Sequence, residues 1–142
     1  MIGILIVTHG SLAKGFKESA ELIVGKIPNL KIIGLYHEDS FVQLKLNVKK
    51  AIEEMDTGDG VLVLTDLYGA SPFNASAMNS KDLSPEKFRC ISGLNLPILL
   101  ESIIARKDMK LSDLAGHLLK VGKVGIKELF DELSLKEKSE LK

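Results

Sequence analysis

An unbroken aliphatic run, Ile4-Leu5-Ile6-Val7, stops abruptly at Thr8-His9-Gly10-Ser11. Without polar alternation such a run reads as a strand buried on both faces, the kind that lies inside a parallel sheet. The residues that stop it bring different chemistry. An ionisable imidazole stands where strand gives way to turn, a glycine lets the backbone bend, and a serine can cap the next helix. The same layout returns at Val61-Leu62-Val63-Leu64-Thr65-Asp66, a second doubly buried strand with a carboxylate at its carboxyl end. Open α/β sheets build their sites at such ends.

Between and after these strands the hydrophobic period changes. Leu12, Phe16, Ala20 and Ile23 recur at helical spacing with Gly25 as the stop. Residues 29–35 read as a second strand, and Phe41, Leu44, Val48, Ile52 and Met55 mark a second helix that ends in the turn-rich stretch 56–60. Leu67-Tyr68-Gly69-Ala70 forms a turn, and Ser71-Pro72 opens a third helix, serine as N-cap and proline at the first helical position. A short strand at 88–92, a helix from Leu96 to Arg106 and an amphipathic helix carrying Leu111, Leu114, Ala115, Leu118 and Leu119 follow. Lys123 to Ile126 reads either as a poor continuation of that helix, with Gly122 and Gly125 inside it, or as a short edge strand. The charged tail 134–142 is expected to fray.

Strands alternating with helices imply a doubly wound α/β sheet, parallel, with helices on both faces. The compact order for four strands is 2-1-3-4, which opens a crevice between strands 1 and 3 where the chain reverses its direction of winding. His9 and Asp66 both end there, and the helix starting at Ser71 points its unpaired N–H groups and positive dipole end at the same place. A carboxylate bonded to Nδ1–H of His9 fixes the tautomer and leaves the Nε2 lone pair free as nucleophile or base. Backbone amides after Gly69, with the Ser71 hydroxyl, suit the three oxygens of a phosphoryl group. The combination points to phosphoryl transfer through histidine. It asks for no metal or other cofactor, and no carboxylate cluster suggests a magnesium site.

Composition narrows the partners. Nineteen lysines and arginines against 19 aspartates and glutamates leave no net field to favour nucleic acid or an anionic membrane. A chain of 142 residues fits one domain. The single cysteine, Cys90, allows no intramolecular disulfide and suits a reducing, cytoplasmic setting. The opening aliphatic run lacks the basic leader of a signal peptide, and no stretch approaches the roughly 20 apolar residues of a membrane span.

Thr8-His9-Gly10, together with Thr65-Asp66-Leu67-Tyr68-Gly69-Ala70-Ser71-Pro72-Phe73-Asn74, resembles the mannose-type enzyme IIA component of the bacterial phosphoenolpyruvate:sugar phosphotransferase system. Gly93-Leu94-Asn95-Leu96-Pro97 with Leu99-Leu100-Glu101 is similar to a third segment of that family, and the resemblance covers roughly residues 1 to 130. It implies a cytoplasmic phosphocarrier domain over residues 1–133 that accepts a phosphoryl group from the phosphocarrier protein HPr and passes it to a separate IIB component. Contact with the IIC/IID permease would run through IIB, with no insertion of this chain into the membrane. The resemblance further implies phosphorylation of His9 on Nε2, orientation of His9 by Asp66, and phosphoryl contacts at Ser71, Gly69, Ala70, Thr8 and Gly10. It also implies a homodimer that exchanges a C-terminal edge strand, here the 123–127 segment. Ala70 departs from the family, which usually carries a second glycine there, and Tyr68 replaces a bulkier aromatic.

The other chemically interesting residues have plainer readings. His37 lies in a solvated turn after the second strand, His117 on a helix surface, and Cys90 in the core as an inert thiol. Lys45, Lys49 and Lys50 form a solvated helix face. Three rival functions remain open to the sequence. A small metal chelatase would need a second ligand beside His9, for which His37 is the candidate. A regulatory module would use phosphorylation of His9 as a signal, and the phosphocarrier subunit of a dihydroxyacetone kinase would share the chemistry with another acceptor.

Overall fold

The computed structural model describes residues 1–140. In chain order it contains β1 (Gly3–His9), α1 (Leu12–Val24), β2 (Leu30–Leu35), α2 (Phe41–Met55), β3 (Val61–Thr65), α3 (Ser71–Ala77) with a 3-10 turn at Met78–Lys81, β4 (Phe88–Ile91), α4 (Leu96–Ala105), α5 (Leu111–Val124) and α6 (Leu129–Glu140). The four strands are parallel in the order β2-β1-β3-β4, as the alternation of strands and helices requires. β1 reaches His9, so the imidazole is carried by the last residue of a strand.

Period-2 geometry divides each central strand between two cores. Ile4, Ile6, Leu62, Leu64 and Ile91 face α1, α4 and α5, where Ala13, Ala20, Leu99, Leu114 and Leu118 cover them. Leu5, Val7, Val61, Val63 and Phe88 face α2 and α3, against Leu44, Val48, Ile52, Met55 and Ala75. Cys90 packs beside the second cluster, half-buried, as an alternating position to Phe88 should. The register sets Val7 opposite Thr65 and His9 opposite Leu35, which brings the carboxyl ends of β1, β2 and β3 to one rim.

Three elements differ from the sequence expectation. In α1, Ala13 and Ala20 are the buried residues while Leu12 and Ile23 stand exposed. The helix is turned by about one residue, because two alanines let it approach the sheet more closely than large side chains would. At the other end residues 123–127 pair with no strand of their own chain, as a segment exchanged with a second copy also would not. Lys123 and Val124 complete α5, and Gly125 to Glu128 carry no strand pairing. The cause lies in the glycine that argued against a helix: a Cβ on Gly122 would come within 2.6 Å of Ile98 Cδ1, so its absence lets α5 lie directly on α4. Asn95 Nδ2 then donates to the Gly122 carbonyl oxygen at 3.0 Å. Third, the tail expected to fray from Ser134 is helical to Glu140, with no buried residue; 141 and 142 lie outside the described residues. Glu128 accepts a hydrogen bond from Asp131 N–H at 2.9 Å, Asp131 and Glu132 occupy the first turn, and leucine, lysine and glutamate are good helix formers.

Candidate active site at the carboxyl end of the sheet

Asp66 follows the last residue of β3 and holds His9 twice through one oxygen. Its Oδ2 accepts the His9 main-chain N–H at 2.9 Å and lies 2.8 Å from Nδ1 of the ring. The carboxylate is 13% exposed and the imidazole 49% exposed. Burial by itself would raise the Asp66 pKa, but the hydrogen bonds from the His9 backbone and ring, and the ring's charge whenever it is protonated, hold it below the usual aspartate value. An ionised carboxylate only accepts, so Nδ1 carries the proton in this pair and Nε2 of the neutral ring keeps its lone pair. A nucleophilic nitrogen on a half-exposed ring, aimed by a nearly buried anion, is what the arrangement supplies. Oδ1 of Asp66 is buried and has no hydrogen-bond partner among the described residues.

The turn after Asp66 is closed by Ala70 N–H donating to the Leu67 carbonyl oxygen at 3.3 Å, with Gly69 in its third position at φ +77°. That conformation is the type II pattern that favours glycine at this position. It also starts α3 one residue earlier than the Ser71-Pro72 pair suggests. Ala70 is the N-cap and makes no side-chain cap, Ser71 is the first helical residue, and Pro72 follows. The Ser71 hydroxyl is therefore released from capping, and Ser71 N–H is a leading donor of the helix. Ala70 in place of a second glycine is accommodated in extended backbone at φ −86°, so the substitution carries no strain there.

Of the residues expected to contact a phosphoryl group, Gly69, Ala70 and Ser71 lie together at this turn, while two others are engaged elsewhere. Thr8 is fully buried and its Oγ1 accepts from Ala13 N–H at 2.7 Å, fastening the start of α1 to β1. Gly10 N–H donates to the Leu35 carbonyl oxygen at 2.7 Å, tying the first turn to β2. Their groups hold the backbone that carries His9 instead of facing its ring. His37 is exposed in the turn beyond β2, and no three His, Cys, Asp or Glu side chains converge on a metal-sized site among the described residues.

Two polar features escaped the sequence reading. His117 Nε2 lies 2.9 Å from Glu101 Oε1, a half-buried pair joining α5 to α4 that no sequence spacing announces. Arg106, which had served only to mark the end of a helix, is 3% exposed and reaches the amino end of the sheet. It donates from Nη1 to the Ile2 carbonyl oxygen at 2.9 Å and from Nη2 to that of Pro28 at 2.7 Å. The cavity beside it, about 490 Å³ and lined by Ile2, Asp59, Lys87, Arg106, Lys110 and Leu111 among others, lies at the opposite end of the strands from His9. Its cations and acids are mixed, whereas the rim around His9 carries exposed Leu67 and Tyr68, the latter packed against Phe73 in a tilted pair with ring centroids 4.8 Å apart.

Residues 3–119 match the EIIA-man family model, described as the phosphotransferase system fructose IIA component. The sorbose-specific EIIA component of Lacticaseibacillus casei is 35% identical over 118 residues, covering 83% of this chain and 83% of that protein. The mannose-specific EIIAB component of Escherichia coli strain K12 is 33% identical over 129 residues, 90% of this chain but only 39% of that longer protein. The crystal structure of a phosphotransferase system EIIA component from Streptococcus agalactiae superposes with a TM-score of 0.85 at 30% identity, covering 92% of this chain and 99% of that one.

Proposed function

This chain belongs to the EIIA-man family of phosphotransferase system IIA components, and from that premise we propose that it carries a phosphoryl group on Nε2 of His9, received from phospho-HPr and delivered to a separate IIB component during sugar uptake. The observation that carries the reading is the double grip of Asp66 Oδ2 on the His9 ring and main chain, at 2.8 and 2.9 Å. With Nδ1–H held by the carboxylate, the Nε2 lone pair forms the new bond to phosphorus as the bond from phosphorus to the donor protein's imidazole nitrogen breaks. The proton on Nδ1 stays where it is, and Asp66 offsets the positive charge gathered by the ring. Ser71, through its N–H and hydroxyl, with the Gly69 N–H of the turn before it, supplies donors for the phosphoryl oxygens, while the Ala70 N–H closes the turn on Leu67. Transfer to IIB is the same step with the partners exchanged, so no cofactor enters it.

Two further parts of the reading rest on the surface. The open, apolar rim at Leu67 and Tyr68 suits a protein partner better than a small substrate, which would be enclosed. Exposed Val124, Ile126, Leu129 and Phe130, on a C-terminal segment that buries nothing in its own chain, support a homodimer in which this segment packs on the second copy. No helix among the described residues is long and apolar enough to cross a membrane, which fits a cytoplasmic carrier that reaches the IIC/IID permease through IIB. The test is incubation with phosphoenolpyruvate, enzyme I and HPr. It should give an acid-labile, alkali-stable phosphoprotein from the native chain and none from His9→Gln; labelling of the Gln variant would remove His9 from the chemistry.

A further inference from the structure

Asn74 stands exposed in the first turn of α3, a position where asparagine is among the poorer helix formers and alanine would serve the helix better. It has no part in either core. Its side chain reaches back five residues instead, and Nδ2 donates to the Gly69 carbonyl oxygen at 2.9 Å. A residue that weakens its own helix while keeping one directed bond to the turn beside His9 answers to the site and not to the fold.

The bond matters because little else holds that turn. Gly69 is exposed, and a Cβ on it would meet nothing within 4 Å, so that side of the glycine faces open space. The Gly69–Ala70 peptide is gripped at two points only: its N–H by the Leu67 carbonyl at 3.3 Å, which is long for such a bond, and its oxygen by Asn74. The Ser71 N–H belongs to the following peptide, whose Ala70 carbonyl oxygen accepts the Asn74 main-chain N–H at 2.8 Å, so Asn74 holds the peptides on both sides of Ala70, one through its backbone and one through its side chain. We propose that Asn74 is a positioning residue for phosphoryl transfer at His9, its carboxamide locking the Gly69–Ala70 peptide so that the Ser71 donors are aimed before the phosphoryl group arrives. The proposal rests on the reading of His9 as the phosphoryl acceptor. Donors fixed in advance stabilise charge without reorganising at the moment of transfer, so the lock acts on the rate of transfer and leaves docking of the donor protein alone.

The experiment compares Asn74→Ala, Asn74→Asp and Asn74→Gln with the native chain, reading kcat and KM for phospho-HPr, Tm, and backbone amide NMR shifts. Asn74→Ala should lower kcat about tenfold with KM unchanged and Tm equal to or above native. Its amide shifts should be concentrated in Gly69, Ala70 and Ser71 and absent at His9. Asn74→Asp sets a carboxylate oxygen against the Gly69 carbonyl and should be slower still, while Asn74→Gln keeps the donor and should recover part of the rate. An Asn74→Ala chain with native kcat, or one whose lost rate follows a lowered Tm, overturns the proposal. If the native chain is phosphorylated and the alanine variant is unimpaired, this proposal alone falls; if the native chain takes no phosphoryl group, the His9 reading falls and takes this one with it.

Discussion

The two ends of the same parallel sheet treat charge in opposite ways. At the amino end a guanidinium is 3% exposed and donates to the main-chain carbonyls of Ile2 and Pro28, the strand entries that it pins together. At the carboxyl end a carboxylate is also nearly buried, but it holds a ring that is 49% exposed; each group keeps one buried atom without a partner among the described residues, Arg106 Nε and Asp66 Oδ1. A cavity of about 490 Å³ lies at the amino end, where the strand entries are fastened. The proposed site therefore does not coincide with that cavity. On the proposed reading the crevice at the carboxyl ends of β1 and β3 needs no depth, because a protein partner would supply the other wall.

Substitutions at each end should break this contrast if it is wrong. The largest effect expected is His9→Gln, which should abolish phosphoryl acceptance while costing only about 1 kcal/mol of stability, the worth of the ring's hydrogen bond to Asp66. Any retained labelling, or a large fall in Tm, would make the carboxyl end structural after all. Asp66→Asn should come next, slowing transfer by about 10- to 100-fold with the chain still folded, because the amide presents no anion to the ring. Arg106→Met should do the reverse. Stripping the donors from the Ile2 and Pro28 carbonyls should cost about 2–4 kcal/mol in denaturant unfolding, with the rate per folded molecule at the native level.

A pH titration separates the ends more finely. Asp66 is held lower in the folded chain than in the unfolded one, so its contribution to stability is complete above the ordinary aspartate value of about 3.9 and is lost as pH falls through the folded value. Native protein should therefore lose stability more steeply on acidification below about pH 4 than Asp66→Asn, and equal slopes would show that the His9 contacts do not hold the carboxylate. The smallest effect concerns Cys90. Burial pushes its thiol up to about 12, with the Thr65 hydroxyl opposing only part of that. Thiol-directed reagents should leave it unmodified in the native protein near about pH 8 and label it after unfolding.

The site was partly legible because strand ends are local events. An aliphatic run that stops at His9 and another that stops at Asp66 need only their own residues to be recognised, and a doubly wound order then sets them side by side. The start of α3 was read one residue late, since the Leu67–Ala70 turn competes with Ser71 for the cap and wins through a hydrogen bond the sequence does not display. Thr8 and Gly10 look like site residues for their position beside His9. The Thr8 hydroxyl accepts from Ala13 and the Gly10 N–H donates to Leu35, so those two groups fasten the backbone around His9.

From its amino-acid order alone this chain determined four strands, their helical partners, the parallel order and which two ionisable groups close the crevice, because each rests on hydrophobic period and turn chemistry within a few residues. Tertiary structure decided the rest: which face α1 buries, that Gly122 lets α5 run on against Ile98, that Arg106 clasps carbonyls 78 and 104 positions away, and that Glu101 meets His117. Those outcomes depend on how closely two distant surfaces approach, a quantity set by the shapes of both at once and carried by neither segment on its own.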